Sequence, residues 1–258
     1  MDLNLRGKRV LITGGSKGIG LACAAAFLAE GAKVAINSRS VENLAAAKAT
    51  LGDVLAIAAD LSDAAAAARL VADVETQLGP IDVLVTSAGA ARRSPPDDLT
   101  PAKWREAMDA KYFSYIHVID PVIKLMAKRG AGSIVNIIGA GGKTGFPTHL
   151  AGGAANAALM LVTAGLAGAY GSRGVRVVGI NPGLTRTERV DHNLVVEAER
   201  QKISLEEARR RAVSEIPIGR FGEPEEIAAM TVFLASDRAG FATGAIISMD
   251  GAAQPTVV

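Results

Sequence analysis

The chain has 258 residues, 49% of them hydrophobic and 21% charged, enough apolar material for one large α/β domain with a substantial core. Lysine and arginine total 28 against 26 aspartates and glutamates, a formal net charge of +2, so no one-sided field marks the chain for nucleic acid or an anionic membrane. The single cysteine, Cys23, excludes an internal disulfide and a cysteine-based metal cluster and agrees with a reducing cytoplasm.

From the N-terminus, Asp2, Arg6, Lys8 and Arg9 lead straight into an apolar strand without the apolar region and cleavage site of a signal peptide, so a cytoplasmic protein is expected. Strands are expected near Arg9–Thr13, Lys33–Asn37, Val54–Ala58, Asp82–Thr86, Ser133–Ile138, Val175–Ile180 and Ala245–Ser248, separated by longer Ala-rich helical patterns. Runs such as VLVT and IVNII are apolar at successive positions, as strands buried on both faces require. The rhythm predicts a Rossmann-type doubly wound parallel sheet of about seven strands with helices on both faces, one domain over residues 1–258.

The first strand is followed by Thr13-Gly14-Gly15-Ser16-Lys17-Gly18-Ile19-Gly20 and then a helical pattern. Glycines in a strand-to-helix turn let the backbone approach a pyrophosphate, whose charge the helix N-terminus favours, so Gly14, Ser16, Lys17, Gly18, Ile19 and Gly20 are expected to bind a dinucleotide. At the end of the second strand, where an NAD-binding protein places a carboxylate on the ribose, the sequence reads Asn37-Ser38-Arg39-Ser40. Arg39, with Lys17 nearby, can pair with a 2′-phosphate beside Ser38, and NADP(H) is expected over NAD(H).

Two segments break the rhythm. Ala90–Pro101 carries Arg92, Arg93, Pro95 and Pro96 and reads as a loop leading into a helix near Ala102. Residues 185–216 form a charged, partly helical insert after a strand end, where doubly wound sheets bind ligands; a substrate lid is expected, with a solvated helical hairpin as the alternative. The uncharged stretch between Lys143 and Arg173 is long enough to span a bilayer, but Pro147, His149, Asn156 and its glycines and alanines point to a core helix at a subunit contact.

With these motifs in view the sequence resembles the short-chain dehydrogenase/reductase family over nearly its whole length. The likeness is carried by the glycine turn, Asp60-Leu61, Thr86-Ser87-Ala88-Gly89 against the family's Asn-Asn-Ala-Gly, Asn181-Pro182-Gly183 with Thr187, and the tail Gly219-Arg220-Phe221-Gly222-Glu223-Pro224-Glu225-Glu226-Ile227. The resemblance implies that Asp60 and Leu61 meet the adenine, that Ser87, Ala88 and Gly89 line the cofactor, and that Pro182, Gly183 and Thr187 cradle the nicotinamide carboxamide. It also implies a homo-oligomer, dimer or tetramer; the substrate expected is a small or medium apolar carbonyl or alcohol.

At the positions the family uses for chemistry the sequence departs from it. Gly139 falls on the serine, Gly152 and Asn156 fall on the Tyr-x-x-x-Lys pair, and Lys111, seven residues after Trp104, falls on the asparagine. Glycine has no proton to exchange, and Asn156 can bond a ribose hydroxyl but cannot acidify a phenol. Lys111, His149 and Asn156 are the candidates for a rebuilt site: a desolvated Lys111 for acid–base work or a Schiff base, His149 for protonating a carbonyl oxygen. Against these stand a Lys111 that snorkels or pairs with Asp109, and a His149 bonded to loop backbone. Three scattered histidines and one cysteine make no metal set. An NADP(H)-dependent oxidoreductase with an altered acid–base site is the leading expectation; an NADP(H)-binding sensor or partner subunit and a lyase or isomerase using Lys111 are the alternatives.

Overall fold

Residues 1–89 and 93–256 are described by a computed structural model; Arg92 of the expected loop lies outside them. The strands are β1 (Arg9–Thr13), β2 (Lys33–Ser38), β3 (Leu55–Ala58), β4 (Val83–Thr86), β5 (Gly132–Ile137), β6 (Val175–Pro182) and β7 (Ile246–Met249). All pair in parallel in the order β3-β2-β1-β4-β5-β6-β7. Parallel neighbours need long crossovers, and the helices that supply them are α1 (Gly18–Ala29), α2 (Val41–Leu51), α3 (Ala64–Gln77), α4 (Pro101–Ala107), α5 (Ser114–Arg129), α6 (Leu150–Tyr170), α7 (Glu188–Gln201), α8 (Leu205–Ser214) and α9 (Pro224–Ala235).

The sheet divides the core in two. One side buries Phe27 of α1, Leu44 of α2 and Ile227 and Val232 of α9 against Val10, Ile12, Val34 and Ile36. The other buries Leu70 and Val74 of α3, Ile119 and Ile123 of α5 and Leu159 of α6 against Leu11, Leu84 and Ile134. Successive strand residues thus feed opposite layers, which is why the central strands carry no polar alternation. Among the described residues α6 lies in the one helical stretch long and apolar enough to cross a membrane. It packs on the sheet through Ala155, Leu159, Thr163 and Ala167.

Winding reverses between β1 and β4, the place where an open α/β sheet leaves a crevice. There Ser87 N donates to Thr13 O at 3.1 Å and to Thr13 Oγ1 at 3.2 Å, locking the glycine turn to the end of β4. On the far side of the crevice, Thr86 Oγ1 donates to Asn136 Oδ1 at 2.8 Å and Asn136 Nδ2 donates to Thr163 Oγ1 at 2.9 Å. This buried chain ties β4, β5 and α6 together with its polar groups satisfied.

Candidate active site

The glycine turn is shaped by contact as well as by dihedral freedom. A Cβ on Gly20 would overlap the carbonyl oxygen of Gly14, and one on Gly14, whose φ is +67°, would stand 2.8 Å from the Ala88 backbone. Bare backbone therefore lines the switch point. Lys17, the N-cap of α1, gives the helix no side-chain cap, so the first-turn N–H groups remain available to an anion. Asp60 accepts from Ser62 N at 3.0 Å and Ser62 Oγ at 2.8 Å, bonds that hold its carboxyl below the usual carboxylate range, with the Arg39 charge a smaller contributor. Arg39 is exposed beside the half-buried Ser38. Lys17 is committed elsewhere: its Nζ donates to Glu188 Oε2 of α7 at 3.0 Å, both side chains more than half exposed.

The helix expected around Lys111 is interrupted. After α4 the chain makes a π-helical turn over Met108–Phe113 before α5 begins, an irregularity that recurs at functional sites because the extra residue re-aims a side chain. Here it turns Lys111 inward. Lys111 Nζ donates to Tyr115 Oη at 2.7 Å and to Ile137 O at 3.2 Å, and Tyr115 Oη donates to the same carbonyl. Asp109 is not its partner. Burial lowers the Lys111 pKa to about 7, the nearby Arg189 charge adding to the effect, while burial pushes the Tyr115 phenol well above its usual value. A lysine so placed is a poor cation and a competent base or nucleophile near neutral pH.

Across the pocket, β5 ends at Ile137 and the chain passes Gly139, whose N–H donates to Asn181 Oδ1 at 3.3 Å. Gly139 has φ +137°, a conformation side-chain-bearing residues rarely adopt, and a Cβ there would face Asn156 Nδ2 at 3.1 Å. Asn156 is 5% exposed and holds its amide against this glycine. One turn earlier on α6, Gly152 leaves room that His149 fills: the place a Gly152 Cβ would occupy lies 2.7 Å from His149 Nε2 and 2.8 Å from Nδ1. His149 Nδ1 is buried and has no hydrogen-bond partner, contrary to a ring tied to loop backbone. Burial lowers the His149 pKa, followed by the charges of Arg93 and Lys111. The structure therefore sets Gly139 against Asn156 and His149 beside Gly141 and Gly152, while Lys111 lies buried against Tyr115 and Ile137 O.

The insert 185–216 forms α7 and α8, closed on Leu194, Ile216 and Phe221. Its first turn lies over the glycine turn: Thr187 Cγ2 stands 3.1 Å from the position of a Gly18 Cβ. His117 Nδ1 bonds Leu61 O at 2.9 Å and His192 is exposed, so neither faces the pocket. Tyr115 received no role from the sequence, although its i,i+4 spacing from Lys111 was the available signal. Among the described residues no group of three or more His, Cys, Asp or Glu side chains could hold a metal.

A doubly wound parallel sheet with an uncapped, glycine-turned helix at its switch point defines a Rossmann-type protein. Comparison with known proteins narrows the class. A family model described as enoyl-(acyl carrier protein) reductase matches residues 14–253. Acetoacetyl-CoA reductase of Rhizobium meliloti is 37% identical over 241 residues, covering 93% of this chain and 96% of that protein. 2-(S)-Hydroxypropyl-CoM dehydrogenase 3 of Xanthobacter autotrophicus is 35% identical over 97% of this chain and 98% of its own length. Among solved structures, L-sorbose reductase from Gluconobacter frateurii, complexed with NADPH and L-sorbose, superposes with a TM-score of 0.93 at 29% identity over 100% of both chains. The chain belongs to the short-chain dehydrogenase/reductase family of oxidoreductases.

Proposed function

We propose that the protein is an NADP(H)-dependent oxidoreductase interconverting a carbonyl compound and its alcohol, with the proton transferred by His149 and Lys111 in place of the family's tyrosine and lysine. The observation that carries this reading is the His149 imidazole, which fills the space over Gly152 and keeps a buried nitrogen without a partner.

The bare glycine crevice and the free N–H groups of α1 fit a pyrophosphate, Arg39 fits a 2′-phosphate, and the NADPH complex of the sorbose reductase supports the same cofactor. NADPH held there would supply the hydride to the carbonyl carbon and become NADP+, and the carbonyl oxygen would need a proton from the protein. Asn156, whose amide stands beside Gly139, would bond the nicotinamide ribose. Burial keeps His149 mostly neutral at neutral pH, ready to accept the alcohol proton; in reduction its minor imidazolium form returns that proton to the oxygen. Lys111, fixed by Tyr115 and Ile137 O and with its pKa lowered by burial to about 7, exchanges protons near neutral pH. The α7–α8 hairpin acts as the lid, held to the glycine turn by Lys17 and Glu188. Within the cytoplasm a second copy would cover the exposed apolar face of α6 around Leu161, which is 75% exposed.

The test is NADPH oxidation by purified protein over a panel of ketones and aldehydes. His149→Ala is expected to lower kcat by about 10²–10⁴-fold with NADPH affinity retained. Equal rates in the variant and the parent would remove His149 from the chemistry. Among the described residues no carboxylate bonds Lys111, which favours one further reading, an amine-based lyase or isomerase reaction that borohydride trapping of a Lys111 adduct would reveal.

A further inference from the structure

Lys111 and Tyr115 stand four residues apart where the π-helical turn passes into α5, a spacing at which side chains on one helix face meet. They meet at the carboxyl end of β5. Lys111 Nζ donates to Tyr115 Oη at 2.7 Å and, at 3.2 Å, to the carbonyl oxygen of Ile137, the last residue of that strand. Carboxyl ends of strands are where a doubly wound sheet binds its ligands. The same turn is seated against Gly89, since a Cβ on that glycine would overlap the Ala110 carbonyl oxygen.

Counting donors fixes the direction of each bond. Tyr115 Oη gives its one proton to Ile137 O, so toward Lys111 it can only accept. The lysine therefore meets two acceptors and, among the described residues, neither a carboxylate nor a third hydrogen-bond partner. A neutral amine has two N–H groups, which the two acceptors take, and its lone pair is left over; an ammonium has a third N–H in that place. One position on Nζ is thus left to gain or lose a proton. Nζ also stands 4.4 Å from the centroid of the Tyr115 ring, whose face favours the charged form. Tyr115 is 0% exposed, so its hydroxyl meets no substrate, and a phenylalanine would fill the same space. Packing alone does not call for the hydroxyl.

Resting on the oxidoreductase reading above, we infer that Tyr115 is a positioning residue of the reaction: with the Ile137 carbonyl, its hydroxyl holds Lys111 Nζ so that a single position exchanges the proton, and it sets the pH at which that exchange occurs. In alcohol oxidation the amine takes up on its lone pair the proton that the alcohol oxygen releases, and becomes the ammonium. In reduction the ammonium returns that proton toward the carbonyl oxygen and the amine is restored. The Tyr115 O–H bond stays intact in both directions, since burial keeps the phenol protonated. Burial disfavours the ammonium and the two acceptors favour it. With no carboxylate bonded to Lys111, the Tyr115 oxygen is the side-chain group that lets it hold a proton near neutral pH. The other titratable groups that interact with Lys111 electrostatically are Arg189 of α7, which also disfavours the ammonium, and His149.

The experiment reads the lysine directly and then the reaction. Protein carrying lysine isotope-labelled at Cε is saturated with NADP+ and titrated by NMR across neutral and alkaline pH, the Lys111 signal being assigned with Lys111→Met. Tyr115→Phe takes one acceptor from the ammonium and is expected to lower the Lys111 midpoint by about one pH unit. The pH profile of alcohol oxidation moves the same way, with kcat at least about tenfold lower and NADPH binding within about twofold of the parent. Tyr170→Phe, at the far end of α6 beside Arg173, is the control and leaves the midpoint in place. Where Tyr115→Phe folds poorly, exchange of all three tyrosines for fluorotyrosine keeps the hydroxyl and weakens its oxygen as an acceptor, and the midpoint falls by a smaller amount. A Lys111 midpoint that stays in place or rises in these proteins overturns the inference, and so does a lowered midpoint with an unmoved pH profile. A midpoint that falls as expected in a protein that transfers hydride to no carbonyl keeps the Tyr115–Lys111 pair and discards the oxidoreductase reading instead.

Discussion

Replacing Lys111 with methionine should stabilise the protein near neutral pH, and by an amount that falls as the pH rises. The folded-state pKa of about 7 lies below the ordinary value of 10.5, so the folded protein binds fewer protons than the unfolded chain between those limits. Stability conferred on the parent therefore rises with pH across that window, and the penalty for burying the ammonium is complete only below the folded pKa. With 1.36 kcal/mol per unit, the penalty at about pH 7.5 is on the order of 4 kcal/mol, and it shrinks by about 3 kcal/mol by about pH 9.5. Methionine has nearly the same length, and Tyr115 Oη keeps its bond to Ile137 O, so the replacement strands no buried polar group. Urea denaturation of parent and Lys111→Met across this range gives the difference directly. A stability gap that stays constant with pH, or a methionine variant that is the weaker protein at about pH 7.5, would refute the placement of Lys111.

Four further outcomes follow from the same geometry. Gly152→Tyr should destabilise by about 1–3 kcal/mol because the new side chain displaces the His149 ring, and His149→Ala in the same chain should recover most of that loss in thermal unfolding. Arg39→Ser should weaken NADPH binding by about 10- to 100-fold and leave NADH binding within a few-fold, as read by fluorescence titration. Gly89→Ala places a methyl group on the Ala110 carbonyl at φ +83° and should lower the yield or melting temperature of folded protein sharply, with loss of Lys111 alignment. Alcohol oxidation should gain rate as pH rises through the lowered His149 pKa and then level off, whereas carbonyl reduction should decline over the same interval, a contrast that initial rates in both directions would expose.

The sheet was legible because both faces of its central strands are buried. β1 agrees with its expected bounds, and β5 shifts by one residue. The larger differences come from tertiary pairing. β6 runs on to Pro182 because Asn181 and Pro182 pair with Ser248 and Met249 of β7, which no local pattern announces. The glycine turn was readable from its spacing, while the reading of Gly139 and Gly152 as altered catalytic positions came from the family resemblance. Their consequences were not: the π-helical turn that re-aims Lys111, the His149 ring over Gly152 and the Lys17–Glu188 pair are contacts between segments far apart in the chain.

The central claim, that His149 and Lys111 carry the proton in an NADPH-dependent carbonyl reaction, is tested most directly by single-turnover hydride transfer. Protein loaded with NADPH is mixed with a panel of ketones and aldehydes, and NADPH loss is followed in the parent, His149→Ala and Lys111→Met. Loss of NADPH with stoichiometric alcohol in the parent, slowed about 10²–10⁴-fold in His149→Ala, is the predicted result. Tight NADPH binding with no hydride transfer to any carbonyl would contradict the claim and leave a cofactor-binding protein without redox chemistry.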